Sequence, residues 1–275
     1  MSKTALVTGA SSGIGEETAR TLHKLGYTVY AAARRTDRLE QLATIGIHAL
    51  TMDITDNESM TSGIEQIIAE TGRIDVLVNN AGYGSFGAIE DVPIDEARRQ
   101  FEVNVFGLAR LTQLVLPHMR AQRSGTIINI SSIGGRFTTL LGGWYHASKH
   151  AVEALSDALR METTPFGIDV VVIEPGLIRT EWSGIAANHL EETAEGSAYA
   201  SQIKAVANSM RSESTNKRQS PPSVIADTVE KIVTARKPRT RYVVGFAAKP
   251  LVTLRHILPD RAFDRLISAG QGARR

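Results

Sequence analysis

The chain has 275 residues, 42% hydrophobic and 22% charged, a length and balance that predict one α/β domain spanning 1–275 rather than two independent ones. The absence of cysteine excludes disulfides, thiolate nucleophiles and cysteine-ligated metals, and no metal site is expected. A formal net charge of +2 gives no reason to expect a nucleic-acid partner; no stretch reaches the ~18 apolar residues of a membrane span, and the start lacks a signal-peptide core, so a cytoplasmic protein is expected.

Taken in chain order, a short apolar run at 4–8 reads as the first strand, followed by Thr8-Gly9-Ala10-Ser11-Ser12-Gly13-Ile14-Gly15 and a helical pattern over 14–25. Strand, glycine turn and helix together suit a pyrophosphate: glycine permits close backbone approach, and the free N–H groups of the helix start attract negative charge. Gly9, Gly13 and Gly15 take these roles, although their spacing differs from the usual dinucleotide fingerprint. The second strand, 28–32, runs into Ala33-Arg34-Arg35, where that fingerprint would place a carboxylate on the ribose 2′-hydroxyl. Guanidiniums in that place favour a 2′-phosphate, so NADP(H) is predicted over NAD(H), with Arg34 the main contact and Arg35 and Ser11 assisting.

A helix is predicted over 36–44, a strand over 48–52 ending at Asp53, and a helix over 56–71. The fourth strand, 74–78, closes on Asn79-Asn80-Ala81-Gly82, and one long helix is predicted over 94–121 with Asn104 inside its apolar run. The fifth strand, 126–130, ends Ser131-Ser132, which sets a hydroxyl at a strand's carboxyl end, where sites form in parallel sheets. Tyr145 and Lys149, four residues apart at the start of a helix predicted mainly over 148–165, share one helical face. A neighbouring ammonium favours the phenolate, so this pair reads as a tuned proton donor and acceptor. A sixth strand, 168–173, leads to Pro175-Gly176, followed by a substrate-lid region over 177–223 whose later part is rich in serine and charge. A helix at 222–235, a strand at 242–246 and a helical extension over 247–275 complete the chain. The alternation predicts a Rossmann-type doubly wound three-layer sandwich around a seven-stranded parallel sheet.

With the glycine turn, Asn-Asn-Ala-Gly, and Ser132 lying 13 positions before the Tyr-x-x-x-Lys pair, residues 3 to 180 resemble the short-chain dehydrogenase/reductase family. The resemblance implies that Tyr145 is the acid/base, that Lys149 lowers its pKa and holds the nicotinamide ribose, that Ser132 polarises the substrate carbonyl, and that Asn104 supports a water-linked proton relay. It further implies cofactor contacts from Ser12 and Ile14 in the first turn, from Asp53 and Ile54 beside the adenine, from Asn80, Ala81 and Gly82 along the centre, and from Pro175, Gly176, Ile178 and Thr180 at the nicotinamide. Homodimers or homotetramers through the helices near 94–121 and 148–165 are expected on the same ground.

The residues around the expected pocket, Ile133, Phe137, Leu140, Leu141, Trp144, Leu177 and Trp182, are apolar, which suits a hydrophobic ketone, aldehyde or alcohol, with Ser132, Trp144 and Tyr145 in contact with it. Arg136 and His146 are expected at the surface. The alternatives are an NAD(H)-dependent alcohol or hydroxysteroid dehydrogenase working in oxidation, an epimerase or dehydratase of the extended relatives, and a redox-sensing scaffold. Residues 231–275 hold 11 Lys/Arg against Asp260 and Asp264, leaving 20 basic and 27 acidic residues elsewhere; this end is expected to be a solvated, packing extension, with a membrane surface or acidic partner as the other reading.

Overall fold

The computed structural model describes residues 2–212 and 217–272. Seven parallel strands, β1 (Thr4–Thr8), β2 (Thr28–Ala33), β3 (His48–Thr51), β4 (Val76–Asn79), β5 (Gly125–Ile130), β6 (Ile168–Pro175) and β7 (Arg241–Val244), lie in the order β3-β2-β1-β4-β5-β6-β7. The order reverses between β1 and β4, which opens a crevice at their carboxyl ends. Every residue of β1 is buried because helices cover both faces. Ala5 and Val7 point into one core layer and Leu6 into the other, following the strand's period of two.

The helices α1 (Gly13–Lys24), α2 (Thr36–Ala43), α3 (Asn57–Thr71), α4 (Ile94–Phe101), α5 (Leu108–Gln122), α6 (Gly143–Thr163), α7 (Trp182–Glu192), α8 (Ala200–Arg211), α9 (Ser223–Thr234), α10 (Ala248–Ile257) and α11 (Asp260–Gly270) complete the described elements. Local sequence sets several of their ends. Asp56 caps α3 by accepting from the Glu58 N–H at 2.9 Å, and Gly72, left-handed at φ 71°, stops it.

Three elements differ from the sequence reading. The predicted helix over 94–121 is α4 and α5 joined by six π-helical residues, Glu102–Gly107, centred on Asn104. Helix α6 begins at Gly143, so Tyr145 lies in its first turn. The region 177–223, expected as a substrate lid with no helix assigned to it, carries α7 and α8, whose apolar faces pack on each other and on Phe86 and Leu141; residues 213–216 lie outside the described set. Pro259 separates α10 from α11, as its fixed φ and missing N–H require.

Candidate active site

The turn between β1 and α1 is built for close approach. Gly9 sits at φ +64°, and a Cβ on Gly15 would lie 2.4 Å from the Gly9 carbonyl oxygen, so a side chain at either position distorts the turn. Asn80, at the end of β4, holds the turn from outside: its Nδ2 donates to the Thr8 and Gly9 carbonyls at 2.9 and 3.2 Å. Thr8 Oγ1 accepts from the N–H groups of Asn80 and Ala81, both at 3.0 Å. The turn is thus braced by its own neighbours, and Ser12, at the start of α1, makes no side-chain cap bond to the first N–H groups of that helix.

After β2, Arg35 donates to Ser11 Oγ at 3.0 Å, and Arg34 Nη1 lies 4.0 Å from Asp53 Oδ2 with most of its side chain exposed. Asp53 is engaged locally, Oδ1 accepting from Thr55 N–H and Oγ1 at 2.9 and 2.8 Å. Ile14, Ile54 and Ile178 turn their side chains into the core layers, leaving backbone for any nucleotide. Thr180 Oγ1 accepts from Trp182 N–H at 3.3 Å, and Pro175-Gly176 close β6 with Gly176 N–H bound to the Val244 carbonyl at 2.7 Å.

The groups expected to handle the proton come together near the carboxyl ends of β4 and β5. Tyr145 is buried, and burial pushes the phenol up to about 12 while the neighbouring Ser132 works in the opposite direction; Ser132 Oγ itself accepts from Gly134 N–H at 3.0 Å. Lys149 Nζ donates to the Ile130 carbonyl at 3.0 Å and stands 6.0 Å from the centre of the Tyr145 ring. Burial draws Lys149 down to about 8, against the pull of Glu153. Asn104 fixes the rear wall: its Oδ1 accepts from Tyr83 N–H at 3.0 Å, and its Nδ2 donates to the Tyr83 carbonyl at 2.9 Å and Ser148 Oγ at 3.0 Å. Ser148 Oγ in turn donates to the Tyr145 carbonyl at 2.7 Å, so the π-helical segment and the Tyr145 turn are tied together.

A Cβ on Gly82 would stand 3.0 Å from Asn104 Oδ1 and 3.6 Å from Lys149 Nζ, so the missing side chain leaves open a strip beside Lys149 where a ribose would lie.

The substrate side holds corrections. Trp144 does not share the Tyr145 face, since adjacent helical residues diverge by about 100°. Its indole packs edge-on against Phe101 at 6.5 Å and lines a surface depression with Ile94 and Phe106. Ile133 and Phe137 pack beneath α10 and α11, Phe137 against Phe263 at 5.3 Å, while Leu140, Leu141 and Trp182 stay with Tyr145. His146 is buried rather than exposed, bonded through Nδ1 to the Gly134 carbonyl at 3.1 Å and through Nε2 to Thr139 Oγ1 at 3.0 Å. Arg136 is half-buried and pairs with the fully buried Glu174 at 3.1 Å.

Phe86 is a residue that the sequence reading missed. Its ring lies 5.6 Å from Tyr145 and 5.8 Å from Trp182, and Trp182 lies 5.3 Å from Tyr145, a triangle of rings over the hydroxyl pair. Phe86 follows a glycine-rich turn without periodicity, so only its tertiary position reveals it. Ser148 was visible within Tyr145-His146-Ala147-Ser148-Lys149, but its bridge to Asn104 was not.

A phenol, a hydroxyl and an ammonium at the switch point of a parallel sheet, beside a glycine-lined nucleotide crevice, define an oxidoreductase of the nicotinamide-dependent kind. The model of the short chain dehydrogenase family matches residues 3–190, and the chain belongs to that family. It is similar to the 3-ketodihydrosphingosine reductase of Bacteroides thetaiotaomicron, 39% identical over 241 residues and 87% of each chain. It is also similar to the NADPH-dependent 3-dehydrocapnine reductase of Ornithobacterium rhinotracheale, 36% identical over 274 residues and 95% of each chain. Among solved structures, a short-chain dehydrogenase from Streptomyces avermitilis superposes with a TM-score of 0.82 at 32% identity, covering 100% of this chain and 99% of that one.

Proposed function

We propose that this chain is an NADP(H)-dependent reductase of a hydrophobic ketone or aldehyde, with Tyr145 as the proton donor and 177–223 as the cover over the substrate. The observation that carries the reading is the placement of buried Tyr145 with Lys149, whose Nζ lies 6.0 Å from the Tyr145 ring and binds the Ile130 carbonyl at the carboxyl end of β5; burial raises the phenol further, so it enters the reaction as an acid. A group that must deliver a proton to a developing alkoxide is best poised in that form.

The dinucleotide supplies the hydride when bound. Ser132 Oγ and the Tyr145 hydroxyl together orient the carbonyl oxygen and stabilise the charge that grows on it, and Tyr145 then gives up its proton. Lys149 places a positive charge behind the ring, stabilising the phenolate that remains, and its neighbourhood to the Gly82 strip suits a grip on the ribose hydroxyls. Asn104 holds the Tyr83 backbone and, through Ser148, the carbonyl of Tyr145, keeping the donor in register. Phe86, Trp182 and Leu141 exclude water from the hydroxyl pair, which strengthens each of these interactions.

Arg34 and Arg35 supply the preference for a 2′-phosphate, Arg35 already positioned by Ser11. The apolar lining supports a hydrophobic carbonyl compound, in keeping with the two relatives whose names describe reduction of a 3-keto or 3-dehydro compound. Following NADPH oxidation by absorbance with long-chain alkyl or aryl ketones, and with small charged 2-oxo acids, tests this. Turnover confined to the hydrophobic set is expected; turnover confined to the charged acids would refute it.

A further inference from the structure

We infer that the face formed by α10 and α11 is a docking surface for an anionic lipid bilayer, beside the mouth of the active site. Among the described residues of the two helices only Ala248 and Phe263 are buried. Leu251, Val252, Leu254, Leu258 and Ile267 are partly buried against Ile133, Phe137 and Phe263, whereas Ile257 is 70% exposed and Leu266 42%. Neither helix is long enough to cross a membrane, at 10 and 11 residues, but partly immersed apolar side chains flanked by cations are what an interfacial helix presents.

Charge selects the occupant. Lys249, Arg261 and Arg265 are exposed and form no ion pair among the described residues, whereas Asp260 is held by Arg255 at 2.9 Å, leaving Asp264 as the other acid of the two helices. A second copy docked on this face would bring two surfaces of net positive charge together, since Lys249, Arg255, Arg261 and Arg265 outnumber Asp260 and Asp264 on the two helices, which disfavours self-association there. Phosphate headgroups meet them with opposite charge, while the acyl boundary accepts Ile257 and Leu266.

The surface runs to the rim of the site. Leu140 N–H donates to Gln271 Oε1 at 3.0 Å, just past the end of α11, and Leu140 packs on the cluster containing Tyr145 and Trp182. Leu177 and Phe246, each 40% exposed, pair by a backbone bridge directly after Gly176. A bilayer at this face would bring the catalytic crevice next to the phase in which a hydrophobic carbonyl compound concentrates. The docking itself does not depend on that substrate class.

Sedimentation of the full chain with vesicles tests the proposal without reference to turnover. The chain should pellet with vesicles of mixed phosphatidylglycerol and phosphatidylcholine, remain free with pure phosphatidylcholine, and be released by high salt. At roughly fivefold per basic residue near an anionic leaflet, the triple variant Lys249→Gln, Arg261→Gln, Arg265→Gln should lower partitioning by about 100-fold. Ile257→Asp, altering one exposed side chain, should also weaken it, with both variants retaining wild-type circular dichroism and dinucleotide binding. Absence of binding to anionic vesicles, binding unchanged in both folded variants, or a solution dimer that the triple variant dissociates would overturn the proposal.

Discussion

Tyr145 and His146 are consecutive, both buried, and governed by desolvation in opposite senses: burial raises the phenol to about 12 and lowers the imidazole to about 4. Tyr145→Phe removes the proton donor and leaves the crevice intact, so kcat should fall by roughly 10² to 10⁴-fold while dinucleotide affinity is kept. Steady-state rates and a binding titration on the same preparation check it; near-normal turnover would remove Tyr145 from the mechanism. For His146 the folded-state pKa lies below the ordinary 6.5, so the unfolded chain takes the proton first. Stability due to the neutral ring is complete above about pH 6.5 and declines as pH falls towards 4, by about 3 kcal/mol in all. Urea unfolding at pH 7 and pH 4 should show that extra loss in the wild type and not in His146→Gln; parallel losses would contradict it. The Tyr-x-x-x-Lys spacing and the position of Ser132 were legible in the sequence because they are local. The burial of Tyr145 was not, because Phe86 and Trp182 arrive from distant segments.

Helices and strands carry the next level of constraint. Arg241 on β7 reaches Glu153 on α6 at 3.0 Å, Asp157 at 2.6 Å and Glu174 on β6 at 3.3 Å, closing the last strand against the helix that bears Tyr145 and Lys149. Burial and the nearby Glu153 raise Glu174, and Arg136 and Arg241 offset them. Arg241→Met leaves the carboxylates short of positive charge at a cost of about 3–5 kcal/mol. The deficit should be larger at pH 8 than at pH 5, since protonation at low pH relieves the uncompensated charges; chemical denaturation at both pH values measures it, and a pH-independent deficit would show that packing alone is lost. Hydrophobic periodicity located the strands and most helices. It could not show the π-helical turn, because Asn104 leaves the regular helix to bind a loop remote in sequence, nor the start of α6 ahead of Tyr145, because Gly142-Gly143 carries no helical pattern.

Across the whole molecule, sequence and structure agree most closely where the chain must turn tightly at the strand ends and least where separate segments close over the site. The glycine turn, the seven parallel strands and the crevice at the β1/β4 reversal follow from local pattern and parallel-sheet topology. The helical cover formed by α7 and α8, and the placement of Ile133 and Phe137 beneath α10 and α11 instead of beside the substrate, arise from packing between segments far apart in sequence. The central claim, a reductase whose crevice selects the phosphorylated dinucleotide through Arg34 and Arg35, joins the first strand crossover to the catalytic end of the sheet. Titration with NADPH and with NADH, followed by the fluorescence of the protein's two tryptophans, tests it most directly. Tighter NADPH binding by roughly tenfold or more, abolished in Arg34→Ala, Arg35→Ala, is the predicted result for charge-assisted phosphate bonds; equal or tighter NADH binding would contradict it.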